Sequence, residues 1–183
     1  KRGCTRLLEA LPEEIPLGLY ECPYPFKQVM SGGSLAWCAA TGRFIFLKDT
    51  CCDLALIEQK INAVRNTDLE LYNANAATLL ESLRLGAAGF SGVMANFHPE
   101  LYVWLCENWK KFPDEATTLQ SFLGVASMAE YQKYPINAKY YQQLDGIPIS
   151  LHMRKPDSEP LKPAQLIEIQ ELRTLSRYFV DLY

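Results

Sequence analysis

The chain has 183 residues, of which 49% are hydrophobic and 21% are charged, and its formal net charge is −3. This composition is typical of a globular protein, and the lack of a concentrated Lys/Arg block argues against a nucleic-acid partner. The apolar runs are far shorter than the roughly 20 residues that span a bilayer, so no membrane partner is predicted either.

The cysteines and histidines do not form a metal-binding pattern. There are 6 cysteines and 2 histidines, with no C-x-x-C spacing among the cysteines, so the sequence predicts no metal site. We interpret the cysteines as reduced thiols of a cytoplasmic protein. The neighbours Cys51 and Cys52 are interpreted as two packed small side chains, and a strained vicinal disulfide is the alternative.

Short apolar runs alternate with segments of helical spacing along the first hundred residues. Residues 1–10 have the pattern of the end of an amphipathic helix. The predicted strands that follow are 17–20, 44–48, 69–73 and 89–94. The predicted helices between them are 35–40, ended by Gly42; 54–64, capped by Asp53; and 76–85, capped by Asn75 and ended by Gly86.

The alternation predicts parallel strands and therefore an α/β fold, either an open doubly wound sheet or part of a (β/α)8 barrel. After Pro99 the strand pattern stops. The remaining predicted helices are 100–111, 114–131, 137–144 and 163–183, and the proline-rich stretch 146–163 is predicted to be an irregular connection.

Lys48 is predicted to lie at the carboxyl end of the second strand, where ligands bind in parallel α/β proteins. Burial among Phe44, Phe46 and Leu47 would disfavour the charged amine, and the neutral amine is the nucleophile. The alternative is a solvated lysine or one paired with Asp49. Tyr20 ends the preceding strand, and its phenol could relay the protons that imine formation requires.

These residues lie in motifs that resemble a known family. The motifs are Tyr20 in Y-x-x-P, Lys48 in F-L-K-D-T, and the segment YNANAATLLESLRLGAAGFSGVMANF at 72–97. In this order they resemble the C-terminal part of the dihydrodipicolinate synthase and N-acetylneuraminate lyase family. The resemblance implies strands 5–8 of a (β/α)8 barrel within residues 1–99, and the last barrel helix with a helical extension in 100–183.

The resemblance also implies a role for each matching residue. Lys48 would form a Schiff base with pyruvate or another 2-oxo acid, and Tyr20 would relay protons. Ser91, on the last strand, would line the pocket through its backbone carbonyl, while Asn73 and Ala74 would form a wall of it; ordinary barrel packing is the alternative for Ser91 and Asn73. The enzyme would be a class I lyase or aldolase without cofactor or metal, and a homo-oligomer, either a dimer or a tetramer.

Two segments depart from the family pattern. Dihydrodipicolinate synthases usually carry an arginine in R-T-G after the Y-x-x-P motif, where this chain has Lys27, and sialic acid lyases carry acidic groups where it has N-A-N-A at 73–76. Neither named activity therefore transfers directly. A dehydratase of a 2-keto-3-deoxy sugar acid and a non-catalytic binding or assembly module remain alternatives. The first four strands have no counterpart, which predicts that the chain is part of a longer polypeptide.

Overall fold

The computed structural model describes residues 2–154 and 159–183. The chain divides into two compact units, Lys1–Gly92 and Val93–Tyr183. Each unit is described by itself below. The predicted boundary between residues 99 and 100, which concerned the barrel and its extension, stays a prediction.

The first unit is a parallel sheet with helices between its strands. The sheet order is β1-β2-β3-β4, and every neighbouring pair is parallel. The strands are β1 (Leu17–Tyr20), β2 (Phe44–Asp49), β3 (Glu70–Asn73) and β4 (Gly89–Phe90). The helices are α1 (Arg2–Ala10), α2 (Gly32–Ala39), α3 (Leu54–Val64) and α4 (Leu79–Leu85).

Side-chain caps fix where these helices begin. Ser31 accepts a hydrogen bond from Ser34 N ahead of α2, and Asp53 accepts from Ala55 N and Leu56 N ahead of α3. Asn75 caps the short 3-10 helix Ala76–Thr78, which leads into α4. The predicted helix 76–85 is thus a 3-10 turn followed by an α-helix, and Gly86 ends it in a left-handed conformation with φ 112°.

One face of the sheet carries the hydrophobic core of this unit. Leu17 and Leu19 of β1 pack against that core, and Leu47 of β2 and Leu71 of β3 are buried in it. Helices α2 and α3 supply the opposing side chains, among them Leu35 and Ile57. Because side chains alternate along a strand, the residues between these apolar positions lie on the opposite face of the sheet.

The fourth strand is much shorter than predicted. Only Gly89–Phe90 is extended, and Val93–Asn96 forms a 3-10 helix instead. Gly92 approaches its neighbours closely: a Cβ built on it would lie 2.2 Å from Phe90 Cζ and 2.4 Å from the carbonyl oxygen of Ala74. The apolar run 89–94 therefore contains a turn that periodicity alone does not reveal, and Ser91 follows the strand rather than lying in it.

The second unit is helical. Its helices are α5 (Pro99–Asn108), α6 (Pro113–Ala126), α7 (Ile136–Leu144) and α8 (Pro163–Leu182). The predicted helix 114–131 is divided, because Ser127–Tyr131 continues α6 as a 3-10 helix. The predicted connection 146–163 is irregular at its described positions up to residue 162, and residues 155–158 lie outside the described part of the chain.

Candidate active site

The carboxyl ends of β1 and β2 bring Tyr20 and Lys48 together. The two residues are direct partners in the parallel register, and the Lys48 Nζ lies 4.8 Å from the centroid of the Tyr20 ring. Both lie on the face of the sheet opposite the core. Tyr20 is 53% exposed and Lys48 is half-buried, so a small molecule can reach the amine and the phenol.

The expected apolar surroundings of Lys48 are only partly present. Phe44 and Leu47 are buried in the core, on the helix side of the sheet, and only Phe46 shares the face of Lys48. Neighbours in sequence do not surround the same space in a strand, because they alternate between faces. Asp49 likewise lies on the helix side, where it is fully buried and bonded to Lys60.

A second tyrosine lies on the other side of Lys48. Tyr72 of β3 is the register partner of Lys48, so the amine stands between two phenols in one row across three strands. The Tyr72 hydroxyl donates to Glu70 Oε2 at 2.9 Å, and its ring lies 4.9 Å from that of Phe46. Tyr72 was not among the predicted site residues, although its place between the buried Leu71 and Asn73 marks it as facing the same way as Lys48.

Directly behind Tyr20 and Lys48 lies a group of three buried charges, which we term the Lys60 cluster: Glu21, Asp49 and Lys60. The Lys60 Nζ donates to Glu21 Oε1 at 2.6 Å and also to Asp49 Oδ2. Lys60 is only 1% exposed, and both carboxylates are as deeply buried. Burial alone would lower the pKa of Lys60, but the hydrogen bonds and charges of Asp49 and Glu21 hold the pKa of this lysine above its usual value.

Sequence reasoning missed the Lys60 cluster, although one signal was present. Lys60 lies beside Ile57, Ile61 and Val64 on the apolar face of α3. A charged residue on the buried stripe of a helix requires buried partners. The pattern did not reveal which acids these are, because Glu21 and Asp49 are distant in sequence.

The carboxylate of Glu21 also organises the loops at the carboxyl ends of the strands. Met30 N donates to Glu21 Oε1 at 2.7 Å, and Thr50 N donates to Oε2 at 3.1 Å. The Thr50 hydroxyl donates to the Glu21 carbonyl at 2.6 Å. Lys27 donates from Nζ to the Thr50 carbonyl at 2.5 Å.

The remaining predicted site residues lie at the ends of β3 and β4. The Asn73 side chain is fully buried on the helix side, where its Nδ2 donates to Thr78 Oγ1 and Ser82 Oγ, each at 3.0 Å. Only the backbone of Asn73 could therefore line a pocket, and the adjacent Ala74 is half-buried. Ser91 N donates to the Asn73 carbonyl at 2.9 Å, which joins the two segments.

All 6 cysteines, each within the described part of the chain, are free thiols, so Cys51 and Cys52 do not form a vicinal disulfide here. Burial, and next a hydrogen bond with Asp49, raise the pKa of the Cys51 thiol to about 11. Cys51 is therefore protonated at neutral pH and is a poor nucleophile. Within residues 2–154 and 159–183, no three or more His, Cys, Asp or Glu side chains are grouped as a metal site would need.

The sequence model of the dihydrodipicolinate synthetase family matches residues 10–174. The chain belongs to this family. Comparison with curated proteins found no match. In the described part of the chain, no helix combines the length and the apolar character needed to cross a bilayer.

Solved structures of the dihydrodipicolinate synthase family share the fold. YagE, a prophage protein of E. coli K12 solved in complex with pyruvate, has a TM-score of 0.80 at 22% identity, over 97% of this chain and 60% of that one. The dihydrodipicolinate synthase of Thermotoga maritima has a TM-score of 0.82 at 17% identity, over 96% and 60%. The enzyme of Cyanidioschyzon merolae, solved with lysine bound, has a TM-score of 0.81 at 19% identity, over 96% and 59%.

The chain thus spans about 60% of the length of these dihydrodipicolinate synthase structures. Its parallel sheet with alternating helices corresponds to part of their barrel. An α/β fold of parallel strands, expected from the sequence, is confirmed by the structure and by these likenesses.

Proposed function

We propose that the full-length protein is a class I lyase or aldolase that binds pyruvate or another 2-oxo acid as a Schiff base on Lys48. In this proposal the chain supplies the C-terminal half of the barrel, strands 5–8, and the complete enzyme is a homo-oligomer. The observation that carries the proposal is the pairing of the Lys48 amine with the Tyr20 phenol at the carboxyl ends of two adjacent parallel strands. Membership of the dihydrodipicolinate synthetase family supports it.

The proposed chemistry begins with attack of the neutral Lys48 amine on the 2-oxo carbon. The carbonyl oxygen takes up a proton and the nitrogen gives one up, which forms a carbinolamine. A second proton on the carbinolamine hydroxyl then lets it leave as water, and an iminium ion remains. The iminium then accepts the electron pair of a neighbouring C–C bond as it breaks, or stabilises the carbanion that forms the bond in the reverse direction. Because the imine is the electron sink, this route requires neither metal nor cofactor.

Tyr20 is proposed to move the protons. Carbinolamine formation and loss of water each need a proton donor and acceptor close to the nitrogen, and a phenol can serve as both. The Lys48 Nζ lies over the face of the Tyr20 ring, 4.8 Å from its centroid, so the ring that carries the hydroxyl is beside the amine. Tyr72, whose hydroxyl is bonded to Glu70, supplies a second aromatic wall beside the amine.

Borohydride trapping tests the proposal. Reduction in the presence of pyruvate should leave one pyruvate-derived mass on the peptide that contains Lys48, and Lys48→Ala should abolish it. Tyr20→Phe should keep the adduct but slow its formation by roughly 10²- to 10⁴-fold, the usual span for one acid-base group. Lys110→Ala, a change at an exposed lysine of the second unit, is the matched control and should not change the rate.

Two outcomes would contradict the proposal. An adduct mapped to Lys27, Lys60 or another lysine would show that Lys48 is not the nucleophile. The absence of any adduct with a panel of 2-oxo acids would favour a binding or assembly module on the same scaffold.

A further inference from the structure

The two proposed reactive residues are each followed by a member of the Lys60 cluster. Glu21 comes directly after Tyr20, and Asp49 directly after Lys48. Since consecutive strand residues point to opposite faces, the two carboxylates lie on the reverse side of the same two strand ends. There a single amine, Lys60 Nζ, bonds to both of them.

Lys60 therefore links the two strand ends by a short path. It reaches from α3 to Glu21 at 2.6 Å and to Asp49 on the adjacent strand. The backbone adds a second link at the same level, because Glu21 N donates to the Lys48 carbonyl at 3.2 Å. A change in the spacing or twist of these ends would have to break a buried charge-assisted hydrogen bond.

Stability alone does not account for such a cluster. Three charges must be desolvated to build it, and apolar side chains of similar volume often serve at least as well for folding. What an apolar replacement lacks is directional bonding, which fixes relative position. The Glu21 carboxylate further bonds Met30 N and Thr50 N, so both loops at the mouth of the site share this anchor.

We propose that Lys60, with Glu21 and Asp49, is a positioning residue that holds the Tyr20 phenol in register with the Lys48 amine. This inference rests on the proposed function for its catalytic meaning. Lys60 does not touch substrate, since it lies buried on the reverse side of the sheet, and as a protonated amine bonded to two carboxylates it is not the nucleophile.

A double-mutant cycle distinguishes positioning from simple stabilisation. In the full-length protein, the rate of trapped adduct formation is compared for wild type, Lys60→Met, Tyr20→Phe and the double variant. If Lys60 positions the phenol, Lys60→Met should slow adduct formation. Adding Tyr20→Phe to Lys60→Met should then lower the rate by less than about tenfold, whereas Tyr20→Phe in wild type lowers it by roughly 10²- to 10⁴-fold. Glu58 is an exposed position on the same helix, and Glu58→Met is the control. In this variant Tyr20→Phe should slow adduct formation as much as it does in wild type.

The inference is overturned if Tyr20→Phe has its full effect in a folded Lys60→Met protein. Because Lys60→Met leaves two buried carboxylates without their cation, it can fail to fold. The triple variant Glu21→Gln, Asp49→Asn, Lys60→Met removes all three charges and serves in its place. The triple variant should fold and should trap pyruvate slowly, and adding Tyr20→Phe to it should slow adduct formation by less than about tenfold. If Tyr20→Phe instead slows the triple variant as much as it slows wild type, the inference is overturned.

A measurement without substrate separates this inference from the proposed function. With 3-fluorotyrosine incorporated, the 19F resonance of Tyr20, identified by its loss in Tyr20→Phe, should shift in Lys48→Met because the amine no longer lies over the ring. In the triple variant that Lys48-dependent shift should disappear. Its persistence would overturn the positioning role, whereas a wild-type protein that traps no 2-oxo acid refutes only the proposed function.

Discussion

His98 is a buried residue of the second unit whose environment favours its neutral form. It is 1% exposed, stacks on Tyr102 with ring centroids 5.5 Å apart, and its Nδ1 lies 2.9 Å from Ser176 Oγ. Because the Ser176 hydroxyl donates to the Leu172 carbonyl, it accepts from Nδ1–H, which leaves a lone pair on Nε2. Burial lowers the pKa of His98 from 6.5 to about 4.

This environment predicts a pH dependence of stability. Between about pH 6.5 and 4 the unfolded chain binds a proton at His98 and the folded chain does not, so the free energy of unfolding falls as the pH is lowered through this window. The loss at pH 4.5 relative to pH 7.5 should be about 2 to 3 kcal/mol. Urea unfolding of the full-length wild type and of its His98→Asn variant at both pH values isolates the contribution of this histidine, because only the wild type should show it.

His152→Asn is the matched control for this experiment. His152 is exposed, so this variant also replaces a histidine with asparagine but leaves the buried site of His98 intact. If His98→Asn and wild type lose stability in parallel on acidification, the histidine is not the responsible group.

Lys48 and Lys60 show what the sequence could predict at this scale. The type and place of Lys48, a lysine at the carboxyl end of a strand, follow from the chain alone, and so does its neighbour Tyr20. The surroundings of Lys48 could not be predicted in the same way, because Phe44 and Leu47, its neighbours in sequence, face the helix side of the sheet. The lysine buried with partners is instead Lys60, and its partners Glu21 and Asp49 became neighbours only through the tertiary fold.

At the scale of elements, caps were more predictive than apolar runs. Asp53 and Gly86, which act through local hydrogen bonding and local backbone conformation, were assigned from sequence and have these roles in the structure. The run 89–94 was assigned wrongly at its end, because the close approach of Gly92 to Ala74 involves a segment distant in sequence. Signals that act over four residues can be predicted, whereas long-range contacts cannot.

The cap of α3 gives a prediction for an element that carries Lys60. Asp53 Oδ1 accepts from Ala55 N at 2.9 Å and from Leu56 N at 3.2 Å. Asp53→Ala leaves these amides without their side-chain acceptor and should lower the free energy of unfolding by about 1 kcal/mol. Chemical denaturation of the full-length protein measures this loss. Asp68→Ala, at an exposed aspartate outside any helix, should change stability by less than half as much; equal losses would argue against capping.

At the scale of the whole molecule, the sheet of the described chain has two edges. Strands β1 and β4 each pair on one side only within it. In a closed barrel every strand has two neighbours, so part of a barrel leaves backbone donors and acceptors available for another chain. The face that carries Tyr20 and Lys48 is also partly exposed.

Residues 1–183 expressed alone should therefore associate or behave as a partly molten species. Sedimentation velocity over a range of concentrations should show assemblies larger than the 20.8 kDa chain. A strictly monomeric sample with one sharp, cooperative thermal transition would contradict this expectation and would show that the edges are protected within the chain.

The register between β1 and β2 contains an irregularity of one residue, since Leu17 pairs with Phe44 while Gly18 pairs with Phe46. Ile45 is the additional residue and is 41% exposed. In a regular strand, Phe44 and Leu47 would face opposite sides, because they are an odd number of positions apart. The additional residue Ile45 lets both of them face the core. In a strand without this additional residue, a Phe44 facing inward would place Lys48 inward as well and turn Asp49 towards the solvent. The single additional residue Ile45 thus decides which of two adjacent side chains, the Lys48 amine or the Asp49 carboxylate, lies on the face opposite the core.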